Sequence, residues 1–169
     1  MQVQKKRASI ILLIVFILLA ILFFIRLFNT RDLDDVTPGI PCSYDLLARV
    51  DTLYVIPLYN NRSIADDKEW CSFILSLNKT IGLHGVYHTY KEFGYSRDKI
   101  YLDIGAIEFE KCFGFKPTLF KAPQLSLSRE NKRWIEKDYL VETWFDRVFH
   151  KTYHCSNDGY FPNWVDDLL

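Results

Sequence analysis

This 169-residue sequence has no surplus of charge. Lys plus Arg and Asp plus Glu both number 21, so no field of one sign is available to hold a polyanion, and nucleic acid is not an expected partner. Glycine and proline are scarce, at 7 and 6 residues. With no internal repeat and no low-complexity stretch, this excludes a fibrous or disordered chain. The four cysteines include no C-x-x-C pair, so they spell neither a zinc ribbon nor a redox motif.

What the sequence does have is one long apolar run. Residues 8–25 read ASIILLIVFILLAILFFI, without a charge, and 18 helical residues cover about 27 Å, close to the hydrocarbon thickness of a bilayer. A cleaved signal peptide would have a shorter apolar core and small residues after it; Phe23, Phe24, Ile25 and Arg26 stand there instead. The reading is therefore an uncleaved single-pass anchor within residues 1–28 and one α/β domain over 29–169. Lys5, Lys6 and Arg7 precede the run, which places the N-terminus in the cytoplasm and the domain in the extracellular space. Beyond residue 28 the chain carries 17 basic and 21 acidic residues.

Cys42, Cys71, Cys112 and Cys155 all fall on that outer side, where one or two disulfides are expected. All three full pairings stay open, and Cys71, on an apolar helix face, also fits a buried thiol. Asn61 and Asn78 each begin a glycosylation acceptor triplet, relevant only in a host that glycosylates exported chains.

Along the outer domain, residues 52–58 (TLYVIPL), 80–84 (TIGLH) and 118–122 (TLFKA) read as short buried strands. Residues 63–78 read as a helix with Trp70, Phe73, Ile74 and Leu77 on one face. A second helix runs from a cap at Ser96 to Phe113 with Gly114 as its stop, and Ser128 caps a third. Residues 139–149 predict one or two more strands. Strands alternating with helices predict a parallel sheet or barrel.

In such folds the ligand sits beyond the C-terminal ends of the strands. Three places there hold chemistry: Asp34-Asp35, the pair His84 and His88, and Lys121. Adjacent carboxylates in a dry site need a cation, and two histidines supply neutral nitrogen ligands. An Asp with two His leaves a metal with open positions, suited to amide or ester hydrolysis. Singly, each motif also fits a solvated turn or surface imidazoles. Tyr87, Tyr90 and Phe93 fit either core or the wall of a sugar site.

The segments LDDVTP (33–38), YVIPLYN (54–60), GLHGVYHTYKEFG (82–94) and GFKPTLFKAPQLSLS (114–128) together resemble the polysaccharide deacetylase (NodB-like) superfamily. The nearest likeness is to its uncharacterised deacetylase-like branch, with HGxxH followed by EF. The resemblance covers about a hundred residues and implies an irregular (β/α) barrel, seven-stranded in full form. It also implies a divalent metal, usually zinc, and removal of acetyl groups from N-acetylated sugars. By the same resemblance Asp34 is the catalytic base, and Asp35, His84 and His88 are metal ligands. Lys121 stands where many members have an Arg that orients the base, and a Lys lacks the bidentate fork. For the late histidine that protonates the leaving amine, His150 and His154 are the two candidates. About 140 residues after the anchor are short for a complete barrel, so an incomplete one is expected. The resulting expectation is a membrane-anchored deacetylase acting on a surface or extracellular glycan. A degenerate barrel that binds carbohydrate or a partner protein without turnover is the alternative.

Overall fold

The computed structural model describes residues 2–157, 159 and 161–168; the side chains of residues 2–6 and 8, Lys5 and Lys6 among them, lie outside the description. Helix α1 (Gln2–Phe28) comes first, and only Asn29 and Thr30 separate it from strand β1 (Arg31–Val36). Helix α2 (Tyr44–Arg49), β2 (Thr52–Val55) and the short hairpin of β3 (Leu58–Tyr59) and β4 (Arg62–Ser63) follow. Next come α3 (Lys68–Ser76), β5 (Thr80–His84), α4 (Lys99–Phe113), β6 (Leu119–Lys121) and α5 (Arg129–Ile135). The chain ends with β7 (Leu140–Glu142), α6 (Trp144–Phe149), β8 (Lys151–His154) and α7 (Asn163–Leu168).

Six strands form one sheet in the order β7-β6-β5-β2-β1-β8, and every neighbouring pair is parallel. Period-two alternation sorts their side chains. One face carries the aligned apolar rows Leu33, Leu53 and Ile81, then Val55, Leu83, Phe120 and Val141. With Ile74, Leu102, Phe109 and Ile135 from the helices, this face builds the core. Phe120 is fully buried with its ring 4.9 Å from that of Phe93; burial of such a side chain contributes about 1.5–3 kcal/mol.

The opposite face is polar. Its rows are Asp34 beside His154, Tyr54 beside Gly82, and His84 beside Lys121 and Glu142. Polar groups of Asp32 on β1, Glu142 on β7 and His150 lie within 4.8 Å of one another, although three strands separate β1 from β7. In a flat sheet that separation would be about 19 Å. The sheet is therefore curled into a half-barrel with the polar face inside, in keeping with the expected incomplete barrel.

Several boundaries differ from the sequence reading for local reasons. The strand expected over 52–58 stops at Val55, because Pro57 offers no ladder donor and the chain enters the β3–β4 hairpin. The helix expected from Ser63 starts at Lys68, where Asp67 Oδ1 accepts from the Trp70 amide at 2.9 Å. Likewise Asp98, not Ser96, caps α4, accepting from the Tyr101 amide at 2.8 Å. Ser128 caps α5 as expected. Residues 139–149 hold one strand and then a helix, because Thr143 and Asp146 form a reciprocal capping box that starts α6. Strand β8 was not anticipated.

All four cysteines are bridged, Cys42 to Cys155 and Cys71 to Cys112, so Cys71 is not a free thiol. The first bridge spans 113 residues and ties the end of β8 to the loop after β1. Removing a native bridge from a small disulfide-bonded domain costs about 2–5 kcal/mol. Thermal unfolding of the Cys42→Ser/Cys155→Ser double variant is expected to show Tm lower by about 10 °C; an unchanged Tm would show that the bridge constrains nothing.

Candidate metal centre and catalytic pocket

The pocket begins with an irregularity in β1. Leu33 pairs with Leu53 and Val36 with Val55, so two residues of β1, Asp34 and Asp35, oppose the single Tyr54. In a regular strand consecutive side chains point to opposite faces; this bulge lets both carboxylates enter one cavity. Asp35 sits in the left-handed region, φ 64°. So do His88, Gln124 and Leu125, at φ 59°, 52° and 51°, and all four line a cavity of about 360 Å³ with Asp34, His84, Arg147, His154 and Gly159. Each such non-glycine conformation costs about 1–3 kcal/mol. Their convergence on one cavity is where a fold stores strain for function.

His84 ends β5. Its Nδ1 lies 3.1 Å from the Lys121 carbonyl oxygen; a carbonyl only accepts, so Nδ1 carries the proton and Nε2 presents a lone pair. That Nε2 is 3.4 Å from Asp35 Oδ1, and His88 Nε2 is 2.9 Å from the same oxygen. Donors bound to one tetrahedral zinc at about 2.0–2.1 Å stand about 3.3 Å apart. The spacing and chemistry of this O,N,N set thus fit a divalent metal, and of Asp35, His84 and His88 only His88 is appreciably exposed.

The His88 loop is fixed from below by Glu92. This fully buried carboxylate accepts from the backbone amides of Val86 at 3.1 Å and Tyr87 at 2.8 Å, and from the Tyr101 hydroxyl at 2.7 Å. Gly85 has φ 65°, and a β-carbon there would strike Glu92 Oε2 and Pro123. The EF that follows the histidines is thereby explained: Glu92 orders the loop, and Phe93 belongs to the core. Tyr87 packs on Tyr101 and Tyr90 is exposed.

Electrostatics keep both aspartates ionised. Burial opposes the charge on Asp34, but Lys121, His84 and His154 outweigh it and hold the carboxyl below its usual range. For Asp35 burial is again outweighed, here by contacts with His154, His84 and His88, and its carboxyl lies well below that range. His88 and His154 resist burial through Asp35 and are raised.

Lys121 is buried, with Nζ 3.0 Å from Asp34 Oδ1 and 2.8 Å from Glu142 Oε1. The Tyr54 hydroxyl donates to Glu142 Oε2 at 2.6 Å. Burial raises Glu142 to about 7.

Of the two late histidines, only His154 lines the cavity. Its Nδ1 is 3.0 Å from Asp35 Oδ2, and the Gly159 backbone lies against its ring with no room for a side chain. His150 pairs instead with Asp32 at 3.4 Å. Register makes the choice: Asp34 and His154 are partners across β1 and β8. A larger cleft of about 930 Å³ lies along the β3–β4 hairpin and the start of α3. It holds no histidine, and the convergent donors are in the smaller cavity.

No family model matches the sequence, and no curated protein is significantly similar to it. Solved structures are similar. The peptidoglycan deacetylase PdaC from Bacillus subtilis shows 16% identity and a TM-score of 0.49 over 69% of this chain and 65% of its own. A polysaccharide deacetylase from Bacillus cereus shows 16% identity and a TM-score of 0.43 over 55% and 46%. A CE4 family pseudoenzyme from Bacillus anthracis shows 14% identity and a TM-score of 0.46 over 69% and 47%. The chain spans between about half and two thirds of the length of these structures. It is similar to CE4 polysaccharide deacetylases and to a pseudoenzyme of that family.

Proposed function

We propose that this protein is a membrane-anchored, metal-dependent deacetylase of N-acetylated sugars on an extracellular or cell-surface polysaccharide. The observation that carries this reading is the bulge at Asp34-Asp35, which supplies one carboxylate to a metal-ligand set and a second, independently charged one beside it. Asp35, His84 and His88 would hold the metal, with zinc favoured by two imidazoles and a carboxylate. When bound, a divalent ion supplies Lewis-acid polarisation of the acetamide carbonyl and a more acidic water.

The chain's own residues do the rest. Asp34, kept ionised by Lys121, accepts the proton of the attacking water. His154, oriented by Asp35 through Nδ1, carries at Nε2 the proton that the leaving amine takes. Lys121 serves as positioning residue for Asp34, although its ammonium divides between Asp34 and Glu142. That division favours, as the second reading, a barrel that binds glycan without turnover.

Residues 9–28 form a helix long and apolar enough to cross a membrane. The cations before it and the two disulfides after it support an anchor with a cytoplasmic N-terminus and an outer domain.

Zinc analysis and acetate release from chitin oligosaccharides by the full chain in detergent test the assignment. One zinc per chain and zinc-dependent acetate are expected, with zinc lost in His84→Ala. Zinc bound without acetate would establish the non-catalytic reading, and no zinc would end the metal assignment.

A further inference from the structure

The end of α1 is bolted to the domain. Arg26 donates to the carbonyl oxygens of Arg147 at 2.9 Å and Val148 at 3.1 Å, near the end of α6, and pairs with Asp166 of α7 at 3.0 Å. Both partners of that ion pair are largely buried. Beyond this clasp, a cleft of about 520 Å³ opens between the helices, with Leu19, Leu22 and Phe23 of α1 facing Trp144, Val148 and Phe161. Around it Trp144, Phe145, Phe161 and Trp164 are each more than half exposed. Exposed aromatics this close together signify a binding surface.

We infer that the lipid bilayer itself covers this face: α6 and residues 161–168 sit at the boundary of head groups and acyl chains, with a phospholipid acyl chain in the cleft. The inference rests on reading α1 as a membrane span. One wall of the cleft is α1 itself, through Leu19, Leu22 and Phe23, so the medium that surrounds α1 is continuous with the cleft. Depth agrees. Leu19 lies six residues before Ile25, the last residue of the apolar run, or about 9 Å along the helix; interfacial elements enter about 5–10 Å. Composition agrees as well, because tryptophan concentrates at that boundary. Arg26 and Asp166 line the cleft as well, each largely buried and paired with the other, so the wall presents an ion pair there and not an isolated charge.

Arg147 lines both this cleft and the cavity that holds Asp34, Asp35 and the histidines. Immersion of the cleft therefore sets the mouth of the candidate catalytic pocket at head-group height.

The test uses the full chain in phosphatidylcholine vesicles that carry bromine high in the acyl chains, with tryptophan fluorescence as readout. Trp144 and Trp164 account for two of four tryptophans, the others being Trp70 on α3 and Trp134 on α5. Marked quenching is expected, and Trp144→Phe/Trp164→Phe should lose most of it. A third variant adds Phe16→Trp to that pair, reporting on the middle of α1 with deeply brominated lipid. Quenching at Phe16→Trp with none at Trp144 and Trp164 would overturn the docking while leaving the anchor intact. No quenching at Phe16→Trp would remove the anchor, and the docking with it. Unquenched Trp144 and Trp164 in a chain that crosslinks to a second copy through α6 would assign the face to a dimer and overturn the inference.

Discussion

Replacing Asp34 by Asn is expected to reduce kcat by about 10²–10⁴-fold while zinc content and KM stay near those of the parent, because in the proposed mechanism only the general-base step is removed. The substitution is nearly isosteric, and the amide oxygen can still accept from Lys121. Asp35, His84 and His88 keep their places, since the bulge is a property of the backbone and of the Leu33 and Val36 pairings on either side. What disappears is an ionised oxygen next to a buried ammonium, a charged acceptor that the proposed ligand set does not use. Acetate release and bound zinc, measured on the same preparation, check this. Loss of zinc together with activity would make Asp34 part of the ligand set. Retained activity would place the base elsewhere.

Replacing Lys121 by Met is expected to cost about 3–5 kcal/mol of stability near neutral pH, the cost of breaking a buried ion pair from one side. Lys121 is the shared cation of two carboxylates on the inner face, Asp34 and Glu142, and Met fills the volume without the charge. The pH dependence follows from the sign of the shifts. Burial already raises Glu142 to about 7 with Lys121 opposing. Without the ammonium, Glu142 rises further and Asp34 loses the strongest of the charges that hold it down, so through Glu142 the folded variant binds more protons than the unfolded chain. Its stability then increases as pH falls. Thermal unfolding of the full chain at about pH 7.5 and about pH 5.5 should show a Tm deficit near 10 °C that shrinks at the lower value. An equal deficit at both would mean that lost packing, not stranded charge, is the cause.

The sequence was informative where local rules act alone. Residues 80–84 are a strand flanked by polar turns, and β5 spans those residues. Ser128 precedes a helical run, and its side chain caps α5. The alternation of such elements made the parallel sheet legible, and the resemblance of the LDD, HGVYH and KAP segments to polysaccharide deacetylases is what grouped Asp34, Asp35, His84, His88 and Lys121.

Features that depend on tertiary context were not legible. Regular alternation would send Asp34 and Asp35 to opposite faces; the left-handed turn at Asp35 that unites them is imposed by the pairing of β1 with β2. Trp144, Phe145, Val148 and Phe149 have strand-forming side chains, but the two backbone N–H groups held by the Thr143–Asp146 box decide for a helix. Residues 151–154, KTYH, show little apolar pattern because half of β8 faces a polar interior. His154 could be singled out only once β8 lay in register beside β1. The role of Glu92 needed the folded loop above it.

The connection between α1 and β1 contains two residues, Asn29 and Thr30, and even fully extended these span only about 7 Å. With Arg26 clasped to α6 and α7 as well, the domain has no tether on which to swing. If α1 spans a membrane as proposed, a site carried this way samples a thin layer instead of a sphere. Soluble glycan enters that layer only by chance, whereas glycan fixed to the same surface is held there at an effective concentration of about millimolar order. On that proposal, encounter depends on sideways diffusion within the membrane plane, and the working range of the pocket is set by the length of the substrate's own stalk.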